Sequence, residues 1–340
     1  MNTPSSPVRD LRVRETFSMK KLLTSWEMIL VYILAFLNIA LMFLETDIYF
    51  SAGTIPFIIR SGMVVSFMVL GMTYVLLLGC IDVSVASIMI VSCMVMGFVS
   101  GHGAPDAVTV LCGLLAGALC GAFNGILVAK CKMPSVIVTI ATSMLFRGIA
   151  EILLNGEALD TFPTWFAALS WHDLGDAIPY SMICFLAVAV ILGFVLLKTK
   201  FGRMVYVIGN AETTAKYSAV RVDLIKIAVF TLMGVTAAMS GILFAGRLGG
   251  ITSGMGKGYE LQVIAIAVLG GVSTNGGKGK IVGPVIAAFI MAFLNKTLDL
   301  IGVHANIQKI ITGVILLFVV LIPVLEKDVF KKKRKGSAAK

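Results

Sequence analysis

The chain has 340 residues, 58% of them hydrophobic and 14% charged, with a mean hydropathy of +0.98. No soluble domain of this length has that balance, so composition excludes a water-borne globular enzyme and implies an integral membrane protein. The net charge of +10 is gathered in short blocks, which marks membrane sidedness and excludes a nucleic-acid-binding role.

Residues 1–25 are polar and basic, and no small-residue cleavage site follows the first apolar run. That run is predicted to be a retained span after a cytoplasmic N-terminal segment. Apolar segments are placed at 26–43, 55–78, 84–98, 108–129, 136–154, 178–197, 225–246, 260–273, 281–297 and 307–324. A crossing helix needs about 20 residues. The third and eighth segments are therefore short: tilted, longer than drawn, or broken elements that cross only partly. With the N-terminus inside, the predicted inside segments carry 21 Lys and Arg and the outside segments two, Arg247 and Lys257. That is a strong positive-inside bias, and it requires an even number of spans. The expected fold is an all-α polytopic membrane protein of about ten transmembrane helices with both termini cytoplasmic. Residues 26–324 form one transmembrane domain, and the basic tail 325–340 is a topology anchor that meets anionic lipid.

Along this domain a few segments carry chemistry. At 76–87, LLLGCIDVSVAS places Asp82 beside Ser84 and Ser87 in apolar surroundings. It either lines a cavity or caps a helix start. In the fourth span Gly113, Gly117, Gly121 and Gly125 line one helix face and let another backbone come close, with Asn124 beside the stripe in need of a partner. The fifth span follows Pro134 and holds Thr139, Thr142, Arg147 and Glu151, the last two spaced to pair on one face. The outside loop 155–177 is acidic, with Trp165 and Trp171 suited to the membrane interface.

The stretch 198–223, KTKFGRMVYVIGNAETTAKYSAVRVD, is a cytoplasmic loop punctuated by Gly202 and Gly209. A short helix is expected there, capped by Asn210, with Glu212 near its positive end and paired to Lys216. Glu260 opens the eighth span after the Gly-rich GGITSGMGKGY. LGGVSTNGGKGK at 269–280 fails as a phosphate loop, because neither Gly-Lys is followed by Ser or Thr or preceded by the required Gly. It is a bend, and the chain carries no ATPase motif. The six cysteines have no metal-like spacing and read as small packing groups, and the three histidines are isolated.

Four segments in order resemble the permease subunits of bacterial ABC importers for ribose, xylose, arabinose and autoinducer-2, which are related more distantly to branched-chain amino-acid permeases. They are GMTYVLLLGCIDVSVAS (71–87), GAFNGILVAKCKMPSVIVTIATSMLFRGIA (121–150), FGRMVYVIGNAETTAKYSAV (201–220) and GKGYELQVIAIAVLGGVSTNGGKGKIVG (256–283). The sequence departs from that group's pattern at Cys80 and Ala86, where glycines are usual, and at Tyr217-Ser218-Ala219, where Leu-Ser-Gly is usual.

The resemblance implies a permease subunit of the bacterial inner membrane, not an enzyme and without cofactor or metal. Its partners would be cytoplasmic ATPase subunits, a second permease subunit (identical or a sister chain), an extracytoplasmic sugar-binding protein and the lipid bilayer. Asp82, Ser84, Ser87, Asn124, Thr139, Arg147 and Glu260 become candidates for the pathway or its gate. Gly209, Asn210, Glu212 and Lys216 become candidates for ATPase coupling. An ion-gradient transporter using Asp82 is the competing class, as is a branched-chain amino-acid permease within the same family. No inverted repeat of the kind common in ion-driven carriers is evident.

Overall fold

A computed structural model describes residues 25–318 and 321, apart from 45, 52, 176, 219 and 305. The N-terminal segment before Ser25 and the basic tail therefore lie outside the described residues. The elements are α1 (Trp26–Leu44), α2 (Thr46–Tyr49), α3 (Thr54–Leu77), α4 (Val85–Gly101), α5 (Asp106–Ala129), α6 (Ser135–Leu154) and α7 (Thr164–Trp171). A two-stranded antiparallel ribbon follows, β1 (Asp173–Leu174) with β2 (Ile178–Pro179). Then come α8 (Tyr180–Lys198), α9 (Lys200–Asn210), α10 (Glu212–Tyr217), α11 (Val222–Leu248), α12 (Tyr259–Leu269), α13 (Val282–Leu300) and α14 (Asn306–Phe318).

Seven of these helices, α1, α3, α5, α6, α8, α11 and α13, are long and apolar enough to cross a membrane. Three shorter apolar helices, α4, α12 and α14, stand where the other predicted spans were placed. The fold is thus all-α and polytopic, with seven helices of spanning length among the described residues. Prolines 105, 134, 163 and 179 immediately precede α5, α6, α7 and α8, where a missing N–H leaves no donor unpaired. The span expected from 178 starts instead as β2 and becomes helical at Tyr180.

The centre of the molecule is α11 against α3, α4 and α5. α3 is buried along its whole second half, Met63 to Leu77, and the Ser240 hydroxyl of α11 donates to the Val64 carbonyl of α3. The glycine stripe of α5 meets α11 backbone to backbone. A Cβ on Gly121 would lie 2.2 Å from the Phe230 carbonyl oxygen, and one on Gly117 2.4 Å from that of Gly234. Gly234 is the reciprocal half of this contact and completes the close crossing. Around this centre α1, α5, α6, α8 and α14 leave large apolar side chains such as Phe36, Leu119, Ile152, Val190 and Leu317 exposed. In a membrane that outer surface meets lipid tails.

The third and eighth spans are short, as their sequences suggest. α4 has 17 residues and α12 only 11. At 1.5 Å per residue α12 is about 16 Å long, roughly half the hydrocarbon thickness. Non-helical backbone flanks it on both sides, with Ile251, Ser253 and Val272 buried. Irregular backbone of this kind is tolerated at depth because it is enclosed in protein.

The connecting segments sort into two ends. At one, Gly209 of α9 lies against the end of α3 and the 270–280 loop, which are themselves joined by the Gly277 N–H donating to the Leu77 carbonyl at 2.8 Å. At the other, Leu159 bridges Ile251, Thr161 Oγ1 donates to the Gly97 carbonyl at 3.0 Å, and Arg60 pairs with Asp173 at 3.2 Å. By the positive-inside rule the first end is expected on the cytoplasmic side and the second on the outer side.

Candidate functional site

Between α3 and α4 the chain leaves helical geometry at Gly79, whose φ of 74° is the left-handed conformation a glycine adopts without strain. The next residues hang their backbone donors on the start of α6. Ile81 N–H donates to Ser135 Oγ at 3.2 Å and Val83 N–H to Thr139 Oγ1 at 3.1 Å. Asp82 turns inward and is fully buried. Its Oδ1 accepts from the Ser84 N–H at 2.8 Å and the Ser84 hydroxyl at 2.6 Å, and Asn124 Nδ2 donates to Ser84 Oγ at 2.7 Å. The Ser87 hydroxyl donates to the Ser84 carbonyl at 2.6 Å.

Asp82, Ser84, Ser87, Asn124 and Thr139 thus form one buried polar cluster joining α4, α5 and α6. Asp82 closes an Asx-type turn on Ser84, the residue that precedes α4, and does not itself cap an N–H of the helix. Its Oδ2 and the Asn124 Oδ1 accept no hydrogen bond among the described residues. The other two pathway candidates lie at the opposite end. Arg147 Nη1 donates to the carbonyls of Ser253 and Met255 at 2.9 and 3.0 Å, while the Glu151 carboxylate accepts from the Ser253 hydroxyl. The expected Arg147–Glu151 pair is therefore replaced by a shared grip on the 253–255 segment, because its carbonyls sit within reach of the guanidinium. Glu260 Oε1 accepts from the Gly258 N–H at 3.1 Å at the start of α12.

The 198–223 stretch holds two helices rather than one. Thr199 caps α9 by accepting from the Gly202 N–H at 3.3 Å. Gly202 and Gly209 lie inside α9, as points of close approach rather than breaks: a Cβ on Gly209 would stand 1.8 Å from the Leu77 carbonyl oxygen. Asn210 does not cap the following helix. It ends α9, and Ala211, at φ −161°, precedes α10 without a side-chain cap. The Asn210 amide instead donates to the Tyr206 carbonyl at 2.8 Å and the Gly277 carbonyl at 3.4 Å, and Tyr206 Oη donates to the Gly279 carbonyl at 2.7 Å. α9 is thereby fastened to the 270–280 bend.

Glu212 pairs with Lys216 at 2.8 Å as expected, and also with Lys226 of α11 at 2.7 Å. Burial pushes its carboxyl up, and the hydrogen bonds from both lysines outweigh that and hold it below the usual range. At the end of α10, Tyr217 is 93% exposed, a large aromatic with nothing packed on it. Sequence reasoning noted Tyr217 only as a departure from pattern and did not place it among the coupling residues.

Comparison with known proteins adds an independent line. Residues 54–320 match the family described as branched-chain amino acid transport system / permease component. Ribose import permease protein RbsC of Escherichia coli strain K12 is 35% identical over 277 residues, covering 81% of this chain and 86% of that protein. Autoinducer 2 import system permease protein LsrC of Photorhabdus laumondii is 35% identical over 293 residues, covering 84% and 87%. The protein of the same description from Yersinia pseudotuberculosis is 36% identical over 276 residues, covering 80% and 78%. No solved structure matches the chain.

Proposed function

Because the chain belongs to the family of branched-chain amino acid transport system permease components, we propose that it is the membrane-spanning permease subunit of a bacterial ABC importer for a sugar or sugar-like solute. The observation that carries this reading is the similarity to ribose and autoinducer-2 import permeases over four-fifths of the chain. It resides in the inner membrane, and ATP is hydrolysed on separate cytoplasmic subunits. An extracytoplasmic binding protein delivers the solute, and a second permease subunit completes the pathway.

In this reading α9 and α10 are the ATPase handle. Glu212 ties α10 to Lys226 near the start of α11, and α11 continues for 27 residues, about 40 Å, to the outer end. Movement of the handle is passed to α11 and, through the glycine crossing, to α5 and the cluster around Asp82. Import requires that the solute be held differently in the outward and inward states, and no covalent chemistry is involved.

The test is reconstitution of the chain with its ATPase and permease partners in proteoliposomes, with ribose-loaded and autoinducer-loaded binding proteins supplied in turn. Solute-dependent ATP hydrolysis and ATP-dependent uptake are expected with one of them. Uptake that persists without the ATPase and collapses with the ion gradient would overturn the reading.

A further inference from the structure

We infer that the cavity at the outer end, between α3, α11, α12, α13 and α14, is a binding site for a small molecule carrying an anionic group beside hydroxyls. The cavity measures about 600 Å³, the size of an ordinary small-molecule site. Four cations line it: Arg247, Lys257, Lys296 and Lys309. One carboxylate, Asp299, faces them.

The partners of these cations separate them from ordinary structural ones. Lys296 is committed to Asp299 at 2.9 Å and lies 4.7 Å over the Phe57 ring. Arg247 uses only Nη1, on the Ser61 carbonyl at 2.8 Å, so most of its donor fork is unspent. Lys257 and Lys309 make no hydrogen bond or ion pair among the described residues. The remaining cations of this end are engaged elsewhere: Arg60 with Asp173, and Arg147 with two carbonyls.

Topology makes the gathering more telling. Outer segments of a membrane protein are depleted of Lys and Arg. The two that the predicted outer segments do carry, Arg247 and Lys257, both line this one cavity. There they stand with two further cations and a single carboxylate, Asp299, which is already paired with Lys296, and the surplus of positive charge favours the entry of an anion. Neutral hydrogen-bonding groups share the wall. The amides of Gln262 and Asn295 and the hydroxyl of Tyr259 make no side-chain hydrogen bond among the described residues and fit hydroxyl groups next to the anion.

Two sources offer this chemistry, a phosphorylated or carboxylated sugar from outside the cell and the headgroup of phosphatidylglycerol. The inference rests on the permease reading only for which end faces out, and binding can be measured without transport. The full-length chain in phosphatidylcholine nanodiscs is titrated with ribose 5-phosphate and with ribose, and in separate discs phosphatidylglycerol occupancy is counted by native mass spectrometry. For the soluble source, ribose 5-phosphate binds at least tenfold more tightly than ribose. The double variant K257Q/K309Q weakens it about tenfold, the equivalent of about 1.4 kcal/mol. For the lipid source, the soluble anion does not bind, and specific phosphatidylglycerol occupancy is lost in the same variant. A K198Q/K200Q variant at the opposite end leaves either result unchanged. Absence of both ligands, or binding of either that K257Q/K309Q does not alter, overturns the inference. Anion binding without solute-dependent ATP hydrolysis would sink the transport reading and leave the site standing.

Discussion

Substituting Gly209 by alanine is the sharpest way to ask whether the α9 handle must sit where it does. The added Cβ would stand 1.8 Å from the Leu77 carbonyl oxygen and 2.6 Å from the Gly277 nitrogen. Both are backbone atoms, so no side-chain rotation relieves the clash. A carbon–oxygen contact relaxes to about 3.3 Å, which requires α9 to move off α3 by about 1.5 Å. That displacement loosens the Asn210 amide's hold on the Gly277 carbonyl and crowds the 2.8 Å bond by which the Gly277 N–H is joined to the Leu77 carbonyl.

Overpacking of this kind costs about 1–3 kcal/mol, and each weakened hydrogen bond adds about 0.5–1.5 kcal/mol. A displaced handle that is about 2 kcal/mol worse at meeting the ATPase lowers complex formation about thirtyfold. Helix propensity works the other way, since alanine is the better helix former by about 1 kcal/mol, which is too little to offset the clash. The assay is co-purification of tagged permease with its ATPase, followed by solute-stimulated ATP hydrolysis, with membrane insertion monitored as the control. Insertion is expected to persist and coupling to fall. A G209A chain that assembles and couples like the parent would refute the close-contact reasoning and, with it, the placement of the handle.

Removing Tyr217, by Y217A, should leave thermal stability within about 0.5 kcal/mol, since the side chain packs on nothing, yet weaken ATPase association about tenfold if the aromatic is an interface anchor. A pull-down titration decides it, and equal affinity would show that the aromatic is not one. Because the Glu212 carboxyl is held below its ordinary range, its tie to Lys226 contributes fully above the unfolded carboxyl pKa and is lost as pH falls through the lower, folded value. Hydrogen exchange across 212–217 should therefore accelerate on acidification in the parent chain, whereas E212Q should already exchange fast at neutral pH. Ser84→Ala removes both a donor to Asp82 and the acceptor of Asn124, leaving buried polar atoms unpaired. About 2 kcal/mol or more of stability should go, seen as a lowered Tm in detergent, and an unchanged Tm would argue against the cluster.

What could be read from the sequence was what depends on local spacing. Four glycines at intervals of four predicted a close helix crossing, and the crossing is there, although its reciprocal residue Gly234 was not picked out. Glu212 and Lys216, four apart, do pair. The short apolar runs at 84–98 and 260–273 do correspond to short helices. Local spacing misled where a distant segment offered something better. Arg147 and Glu151 have the spacing of a pair, but the distant 253–255 segment takes both, the guanidinium through two carbonyls and the carboxylate through the Ser253 hydroxyl. Asn210 has the chemistry of a helix cap, yet residues 200–209 are already helical, and the carbonyl it meets belongs to Gly277. Tyr217 gave no periodic signal because exposure at a helix tip has none. The outer cavity was least legible of all: its cations lie at 247, 257, 296 and 309, too far apart in the chain for any local spacing to join them.

The placement of these features along α11 bears on how the molecule transmits force. Its first turns hold Lys226, which grips the handle through Glu212. Its middle is locked to α5 by the close backbone contacts of Gly234 and Phe230 with Gly117 and Gly121. Its last turn presents Arg247 to the outer cavity. A helix so placed cannot tilt at one end without moving the other, because close-packed backbones slide or rotate as units rather than deform gradually. The glycine crossing is then the fulcrum, and a bulky residue there should uncouple the two ends while leaving each intact. In Gly121→Val, ATPase association and anion binding at the outer cavity should both survive, while solute-stimulated hydrolysis disappears. Loss of all three together would mean that the crossing holds the fold rather than transmits movement through it.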